Sequence, residues 1–561
     1  HRDLHSFPTR RSSDLEVILR LYERHGEAAI NRLRGMFAFA IYDSKKEKLI
    51  LARDRLGKKP LYYMERKNDI LFASELKAIL AYLGKAPEVD WSFLPDYLML
   101  GYIPQPATPF RDIRKLQAGH YLVVEQGKRT LSPYWSVPDF QPSEMSLGEA
   151  RESTKTALQE AVSIRLQSDV PFGALLSGGI DSSLVTALMV QSGKLTETAR
   201  TFSVGFQDQE HNELAAAAAI ANHLGTSHRE ELLEIDVTDV LPRIVWHMDE
   251  PFADSSAIPT WYVSAMAARE VKMVVSGDGG DELFCGYERY GRLAQILAIK
   301  KRKALAGFIF AAGLLLPSST AGALGKISRL VNYLKEPPEK VHTHLVGIFG
   351  PETLRSLRID SNFVFPPELI SNLWSSGGQT YLDRAMYTDV GSYLLEDVLV
   401  KVDRMSMAHS LEVRSPLLDH KLLELAATIP LKFKRLGNGK GKLILRDLAV
   451  DLLPKGILTL PKRGFSAPID KWYRNGGPLR VAFLEELLIG SEVTRHFRFA
   501  AIQELLRAVD ARVPATGEKL FAIHTLLLWH RFFGKESQRS MNTFQVHTKN
   551  YKVLWRGNSI E

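Results

Sequence analysis

The stretch Ala174-Leu-Leu-Ser-Gly-Gly-Ile-Asp-Ser-Ser183 decides the fold of this chain. Its apolar start predicts a buried strand, and the spacing of apolar residues after Ser182 predicts a helix. A strand that ends on glycines and leads into a helix N-terminus binds anions, because backbone N–H groups converge there and the helix dipole favours negative charge. We therefore predict a phosphate-binding loop, with an ordinary glycine turn as the alternative. No lysine follows the glycines, so this is not a Walker A loop, and Asp181 suggests a bound Mg²⁺ that shares the phosphates.

Strands and helices alternate further along the chain. Strands are predicted over residues 200–206, 228–235 and 271–275, and helices over residues 213–223, 242–248 and 259–269. This alternation predicts a mostly parallel sheet covered by helices on both faces. A second glycine-rich loop, Ser276-Gly-Asp-Gly-Gly-Asp-Glu282, follows the last of these strands. Ligands bind beyond the carboxyl ends of such strands, so we expect both loops to face one crevice in which Asp181 and Asp281 hold one Mg²⁺.

Ordered motifs resemble the synthetase domain of glutamine-hydrolysing asparagine synthetases. The motifs are Ser177-Gly-Gly-Ile-Asp-Ser182, Ser276–Glu282, Lys401–Met407, Glu412–Asp419, Lys440–Lys442 with Arg446, and Pro461–Pro468. Their order over roughly residues 170 to 480 is far more specific than any single loop. The resemblance implies an α/β fold with an ATP-pyrophosphatase-type αβα parallel-sheet domain in the C-terminal part.

The N-terminal part resembles the other domain of the same family, a glutamine amidotransferase domain with an N-terminal-nucleophile fold. The resemblance covers residues 35–43, 49–57, 60–63 and 72–78 and implies a partial αββα sandwich. Such domains begin with a cysteine nucleophile, whereas this chain begins with His1 and has Cys285 as its one cysteine. We expect residues 1–15 to be a foreign leader, the native protein to carry the nucleophile, and this chain to use ammonia. Asp14 falls where the family places a glutamine-binding carboxylate.

Proline-rich and polar stretches predict the domain boundaries. A partial amidotransferase domain is expected over residues 16–132, a linker over 133–146, the synthetase domain over 147–535 and a polar tail over 536–561. An amphipathic pattern over residues 147–166 predicts the helix that opens the synthetase domain.

Composition is that of a large globular enzyme with 561 residues and a net charge of +8. The positive charge is spread without interleaved aromatic residues, so we expect no nucleic-acid partner. One cysteine fits a reducing cytoplasm. The basic cluster Lys300–Lys303 precedes the apolar run Ala304–Leu316, which is too short to span a membrane. We expect a core helix with a solvated basic start in preference to a membrane-surface helix, and no transmembrane segment elsewhere.

The resemblance also implies substrates and site residues. ATP would bind through Ser177, Gly178, Gly179, Asp181, Ser182, Ser276 and Gly277, with its adenine near Val204 and Gly205. Aspartate would form β-aspartyl-AMP, and nitrogen from glutamine or ammonia would then give asparagine. Lys442 is the candidate cation for the phosphate oxygens, and Asp278 is the candidate base of the second step.

Two alternatives remain open. One is an ATP-dependent amidotransferase that acts on another carboxylate, for example in cell-surface polysaccharide or peptide modification. The other is a non-catalytic nucleotide-binding relative. The expected partners are the small-molecule substrates and, for the oligomeric state, a homodimer.

Overall fold

The structure is a computed structural model and describes residues 14–67, 69–194, 198–206, 213–314, 322–360, 362–435, 439–454, 456, 467–534, 547–548 and 551–552. Its N-terminal part contains seven strands: β1 (Ala38–Asp43), β2 (Lys48–Arg53), β3 (Tyr62–Glu65), β4 (Ile70–Ala73), β5 (Ile113–Lys115), β6 (His120–Glu125) and β7 (Lys128–Pro133). They form two antiparallel sheets with the strand orders β1-β2-β6-β7 and β4-β3-β5.

The two N-terminal sheets pack face to face. Leu51 and Leu122 of the first sheet lie in one buried cluster with Tyr63 of the second. The outer face of the first sheet packs against helix α1 (Asp14–His25) through Tyr22, and the second sheet packs against α2 (Leu76–Leu83). This arrangement is the αββα sandwich that the resemblance implies.

The C-terminal part is built on a five-stranded parallel sheet. Its strands are β8 (Phe172–Leu175), β9 (Arg200–Phe206), β10 (Ser227–Leu233), β11 (Met273–Val275) and β12 (Glu412–Arg414), in the order β10-β9-β8-β11-β12. The prediction of a parallel sheet is confirmed, and β12 is a fifth strand that the sequence did not predict. The chain leaves β8 toward β9 on one side and later adds β11 on the other, so the sheet switches direction beside β8.

Helices cover both faces of this sheet. They are α3 (Leu94–Leu100), α4 (Leu147–Arg165), α5 (Ile180–Gln191), α6 (Leu214–Leu224), α7 (Val237–Met248), α8 (Ala257–Ala268), α9 (Gly280–Leu283), α10 (Glu288–Lys301), α11 (Lys303–Leu314), α12 (Gly322–Lys335), α13 (Pro338–Val346), α14 (Pro351–Leu357), α15 (Glu368–Ser376), α16 (Tyr381–Asp389), α17 (Leu399–Met407), α18 (His420–Thr428), α19 (Leu431–Lys434), α20 (Leu443–Val450), α21 (Ile469–Tyr473), α22 (Pro478–Ile489), α23 (Phe499–Asp510) and α24 (Thr516–Phe533), of which α3 precedes the sheet. A π-helix, Val390–Val398, joins α16 to α17. The predicted start of α4 is confirmed by a capping box between Ser146 and Glu149. Residues 547–548 and 551–552 pair as two short strands, β13 and β14.

One apolar core contains residues from both sides of the predicted linker. The hydroxyl of Tyr97 donates to the carbonyl of Ala522 at 2.8 Å. Trp529 of α24 packs against Phe93 and Phe110 with ring centroids 6.2 and 5.9 Å apart. Residues on either side of the linker therefore depend on each other for burial, while the predicted boundaries themselves stay a prediction.

Helix α11 lies at the edge of the core, where Ile309 and Phe310 pack against a buried apolar cluster. Residues 315–316 of the predicted run lie outside the described part of the chain. The side chain of Phe308 is 74% exposed and that of Leu305 is 40% exposed, whereas Ala306 is buried. An apolar composition reports how favourable burial would be, but it does not identify an element that covers the helix. None of the helices in the described part of the chain has the length and apolarity that a membrane crossing requires.

Candidate active site

A cavity of about 1180 Å³ opens beyond the carboxyl ends of β8, β9 and β11. The predicted site residues that line it are Ser177, Gly178, Gly179, Asp181, Ser182, Val204, Ser276, Gly277, Asp278, Asp281 and Lys442. Gly205 is not part of the lining, and its place beside the adenine stays a prediction. The residues of the two glycine-rich loops line one crevice, as the sequence predicts.

The two glycine-rich loops begin side by side and touch. Ala174 of β8 lies opposite Val275 of β11 in the sheet register. A Cβ atom on Gly277 would overlap the backbone nitrogen of Ser182, and one on Gly280 would overlap the carboxylate of Asp181. Glycine at these positions is therefore what allows the second loop to lie directly against the start of α5.

The first loop has the geometry of an anion cradle. Gly178 has a φ of +74°, a left-handed conformation that favours glycine. Helix α5 begins at Ile180, so its free N–H groups face the cavity end of the loop. The hydroxyls of Ser177 and Ser182 are 3.0 Å apart, and Ser183 donates to the carbonyl of Gly179 at 2.6 Å. Side chains thus hold the turn while the N–H groups at the helix start stay available to phosphate oxygens.

Lys442 lies between the carboxylates of Asp181 and Asp281. Its ammonium pairs with Asp181 Oδ2 and lies 2.8 Å from Asp281 Oδ1. The Lys442 side chain is buried, and its backbone N–H donates to the carbonyl of Phe284 at 2.9 Å, which fixes the loop beside α9. Burial lowers the pKa of Lys442, but the charge of Asp181 and then that of Asp281 outweigh it, so the net shift is upward and the lysine stays charged.

The same two carboxylates fit a divalent cation. Both contact one ammonium, so they lie close enough to share one ion, and carboxylate oxygens are the ligands that Mg²⁺ prefers. Within the described ranges, no cluster of three or more His, Cys, Asp and Glu side chains could hold a metal. A Mg²⁺ ion here would therefore take its other ligands from phosphates and water.

Asp278 belongs to a network of hydroxyl groups at the edge of the cavity. Its Oδ2 atom accepts from Ser276 Oγ at 2.6 Å and from Ser415 Oγ at 3.3 Å. Ser415 follows β12, the strand beside β11. The carboxylate is therefore anchored by two strand ends while it faces the cavity.

Further polar groups line the same cavity, among them Lys401, which belongs to a motif that the resemblance places close to the crevice. Lys401 Nζ lies 2.5 Å from Asp254 Oδ2 and donates to Ser256 Oγ at 2.7 Å. Burial alone would raise the pKa of Asp254, but Lys401 outweighs it and holds that pKa at about 2. Burial raises the pKa of Glu518 to about 8, and Ser255 donates to this carboxyl at 3.0 Å. Glu518 lies on α24, more than 200 residues from the motifs of the first loop, so no local pattern marked it.

Cations of the N-terminal part meet carboxylates of the C-terminal part beside this site. The pairs are Arg34 with Asp419 (2.8 Å), Lys59 with Asp403 (2.6 Å), Lys77 with Asp249 (2.7 Å), and Lys115 with Glu250 and Glu396 (3.0 Å each). All five carboxylates are buried. Asp14 lies elsewhere, exposed in the first turn of α1, and its role in glutamine binding stays a prediction.

Comparisons with known proteins agree with this geometry. An asparagine synthase family model matches residues 153–531, and a glutamine amidotransferase domain model matches residues 2–135. The second match includes most of the predicted leader, residues 1–15, of which residues 1–13 lie outside the described part of the chain.

Relatives at similar identity carry different names. The chain is 29% identical over 528 residues to asparagine synthetase [glutamine-hydrolyzing] 1 of Bacillus subtilis, covering 92% of this chain and 80% of the relative. It is 29% identical over 491 residues to asparagine synthetase [glutamine-hydrolyzing] 3 of the same organism, covering 83% and 72%. It is also 29% identical over 513 residues to the amidase chyE of Penicillium rubens, covering 83% and 74%.

The αββα sandwich and the parallel sheet with its two glycine-rich loops define a two-part amidotransferase of the ATP-using class. This chain belongs to the asparagine synthase family and carries that family's glutamine amidotransferase domain. Members of the family use ATP, and membership supports an ATP-dependent amidation.

Proposed function

We propose that this protein converts aspartate to asparagine through β-aspartyl-AMP, with ammonia, either free or released from glutamine, as the nitrogen source. One observation carries the proposal: Lys442, Asp181 and Asp281 meet at the two touching glycine-rich loops, on the wall of a cavity that also contains Asp278. A phosphate cradle, a buried cation and a carboxylate base are the three parts that the two steps require.

In the first step, a carboxylate oxygen of the substrate attacks the α-phosphorus of ATP, and the bond to pyrophosphate breaks. Negative charge on the phosphate oxygens has to be stabilised as this happens, and fixed donors in a buried site do this well. The N–H groups at the start of α5 and the ammonium of Lys442 are the donors nearest the predicted phosphate position. A Mg²⁺ ion held by Asp181 and Asp281 would add further charge to neutralise the leaving pyrophosphate.

In the second step, ammonia attacks the activated acyl carbon, and AMP leaves with the electrons of the broken C–O bond. The nitrogen must lose a proton to give a neutral amide, so a base has to lie beside the acyl carbon. Asp278 fits this role, because its carboxylate is oriented by Ser276 and faces the cavity. The buried Asp254 and Lys401 at the far end could hold the α-amino and α-carboxylate groups of aspartate.

A different carboxylic acid is the second candidate substrate. The cavity of about 1180 Å³ leaves room beyond ATP for an acid larger than aspartate, and an amidase is among relatives of equal identity. The polar groups that would select the acid are Asp254, Lys401 and Glu518, none of which belongs to the phosphate loops.

The test is pyrophosphate release from Mg-ATP with aspartate, glutamate or a panel of longer amino-acid carboxylates, with ammonium chloride or glutamine as the donor. We expect release that depends on aspartate, together with asparagine formed from ammonium. Release that depends only on a larger acid would replace aspartate by that acid. ATP that binds but is not cleaved with any acid would instead favour the non-catalytic alternative.

A further inference from the structure

Lys58 brings a buried cation from the amidotransferase part of the chain into the network of Asp278. Its side chain is 5% exposed, and its ammonium donates to Ser415 Oγ at 2.7 Å. Ser415 Oγ lies 3.0 Å from Ser276 Oγ and 3.3 Å from Asp278 Oδ2. The chain of contacts therefore runs from Lys58 through two serine hydroxyls to the candidate base.

The direction of these hydrogen bonds is fixed by their chemistry. An ammonium group can only donate, so Ser415 Oγ accepts from Lys58. The one hydroxyl hydrogen of Ser415 is then directed to Ser276 Oγ or to Asp278. Ser276 in turn donates to Asp278 at 2.6 Å. Every hydrogen of the network points toward the carboxylate, which favours one orientation of its oxygens.

A purely structural role does not explain Lys58 as well as it explains its neighbours. Lys59 and Lys115 each form an ion pair with a buried carboxylate across the same interface. Lys58 has no carboxylate within 4.0 Å in the described part of the chain, so its connection to Asp278 runs through the hydroxyl network. Burial lowers the pKa of Lys58 to about 8, and the charge of Asp278 opposes that decrease. A buried cation without a direct ion-pair partner destabilises the folded protein, so its presence favours a functional role for the charge.

We propose that Lys58 is a positioning residue for the amidation step: acting through Ser415, it holds the Asp278 carboxylate in the orientation that takes the proton from the attacking nitrogen. The proposal rests on the proposed function and goes beyond it, because it makes the second step depend on a side chain of the amidotransferase part. The synthetase site is complete only when that part is docked.

The experiment compares Lys58→Met with Lys59→Met in the full chain. Lys59 is the matched control, because it is the adjacent interface lysine and pairs directly with Asp403, not with a hydroxyl of the network. The readouts are acid-dependent exchange of pyrophosphate into ATP, which reports the first step, and amide formed per pyrophosphate released with ammonium chloride, which includes the second. Both are measured from pH 6 to pH 9.

For Lys58→Met we expect the rate of the first-step exchange to stay within about twofold of that of the unmodified protein. We expect kcat for amide formation to fall about tenfold or more, which is less than the full effect of removing a general base. The ratio of amide to pyrophosphate should fall as well, because a carboxylate that is no longer held in place takes the proton of the attacking nitrogen less effectively. Lys59→Met should leave that ratio as in the unmodified protein.

Equal effects of the two substitutions on kcat and on the ratio of amide to pyrophosphate would overturn the proposal. Ser415→Ala is the second variant, because it breaks the same chain with a smaller change of volume, and normal amide formation in that variant would also overturn it. If none of the tested acids supports ATP cleavage by the unmodified protein, the proposed function fails. Crystal structures of the two lysine variants then test the role of Lys58 independently of activity. An Asp278 that keeps its contact with Ser276 after Lys58→Met would refute the positioning role.

Discussion

Lys115 is the residue whose loss most directly tests how the two parts of the chain are joined. It lies on β5 of the amidotransferase part, and its ammonium lies 3.0 Å from both Glu250 and Glu396 of the synthetase part. It also donates to the carbonyl of Ile103 at 2.6 Å. Tyr62 donates to the other oxygen of Glu250 at 2.8 Å. Replacing Lys115 by methionine keeps an unbranched side chain and leaves two buried carboxylates facing each other without a cation.

The magnitude follows from burial. Removing one partner of a buried ion pair destabilises a protein by about 3–5 kcal/mol, because the remaining charge stays desolvated. The entropy of unfolding is about 2.1 cal/mol/K per residue, so this chain of 561 residues has about 1.2 kcal/mol/K if it unfolds as one unit. The expected decrease in Tm is therefore about 3–4 °C, and larger if a smaller unit unfolds first.

The assay is differential scanning calorimetry of the unmodified and Lys115→Met proteins at one scan rate, at pH 8 and pH 5.5. Burial already raises the pKa of Glu250, although Lys115 opposes that increase, and removing the lysine raises it further. A carboxyl group whose pKa is raised in the folded state destabilises the protein fully when the pH is above that folded-state pKa. The destabilisation disappears as the pH falls from the folded-state pKa to the pKa of the unfolded state. The Tm deficit should therefore shrink at pH 5.5, and Glu396→Gln in the same chain should restore part of it at pH 8.

A Tm deficit below about 1 °C at pH 8 would refute the reasoning, because a charge left unpaired inside the protein costs more than that. A deficit of the same size at both pH values would refute the electrostatic cause and leave only lost packing. Either result would mean that water reaches these carboxylates and that the two parts are held together mainly by apolar contacts.

Three further predictions concern the site and its support. Lys442→Met should reduce acid-dependent pyrophosphate release by about 100-fold or more, while Tm changes too little for unfolding to explain the loss. Release equal to that of the unmodified protein would show that Lys442 does not act in the first step. Gly277→Ala should weaken ATP binding in calorimetric titration, because the added Cβ overlaps the start of α5 at Ser182, and unchanged affinity would contradict the close contact of the loops. Burial would raise the pKa of Asp389, but Arg289 outweighs it and holds that pKa at about 2. The ionised carboxylate therefore contributes on the order of 2 kcal/mol to folding stability. This stability is present above the unfolded-state pKa of about 4 and is lost as the pH falls toward 2. Acid unfolding followed by circular dichroism should therefore be shallower for Asp389→Asn than for the unmodified protein, and parallel curves would show that this carboxyl does not drive the transition.

The phosphate site could be predicted from the sequence because everything that builds it is local. The strand before Ser177, the glycines and the helix after Ile180 are adjacent in the chain, and each has its own pattern. The second loop, from Ser276, has the same local order of a strand, glycines and a helix. The sequence also marked the parallel sheet, because strands and helices of ordinary length alternate along the chain.

The charged interface could not be predicted, because it pairs residues that are distant in sequence. Lys59 and Lys115 lie in segments where a lysine is as typical of a solvated face as of a buried one. Their partners Asp403, Glu250 and Glu396 are 135 to 344 positions away. No periodicity relates such positions, so only the packing of the two parts reveals them. The partial exposure of helix α11 could not be predicted either, because an apolar run does not show which of its side chains pack inward.

The position of Lys442 unites two predictions that the sequence made separately. It predicted one ion between Asp181 and Asp281, and it predicted a cation at Lys442 for the phosphate oxygens, yet the ammonium of Lys442 lies between those two carboxylates. Two nearby carboxylates repel each other and need a cation between them. The two roles are compatible if the ammonium turns toward the phosphates whenever a divalent ion takes its place. Gly286 makes room for the present arrangement, because a Cβ there would overlap both the stem of Lys442 and the carboxylate of Asp281.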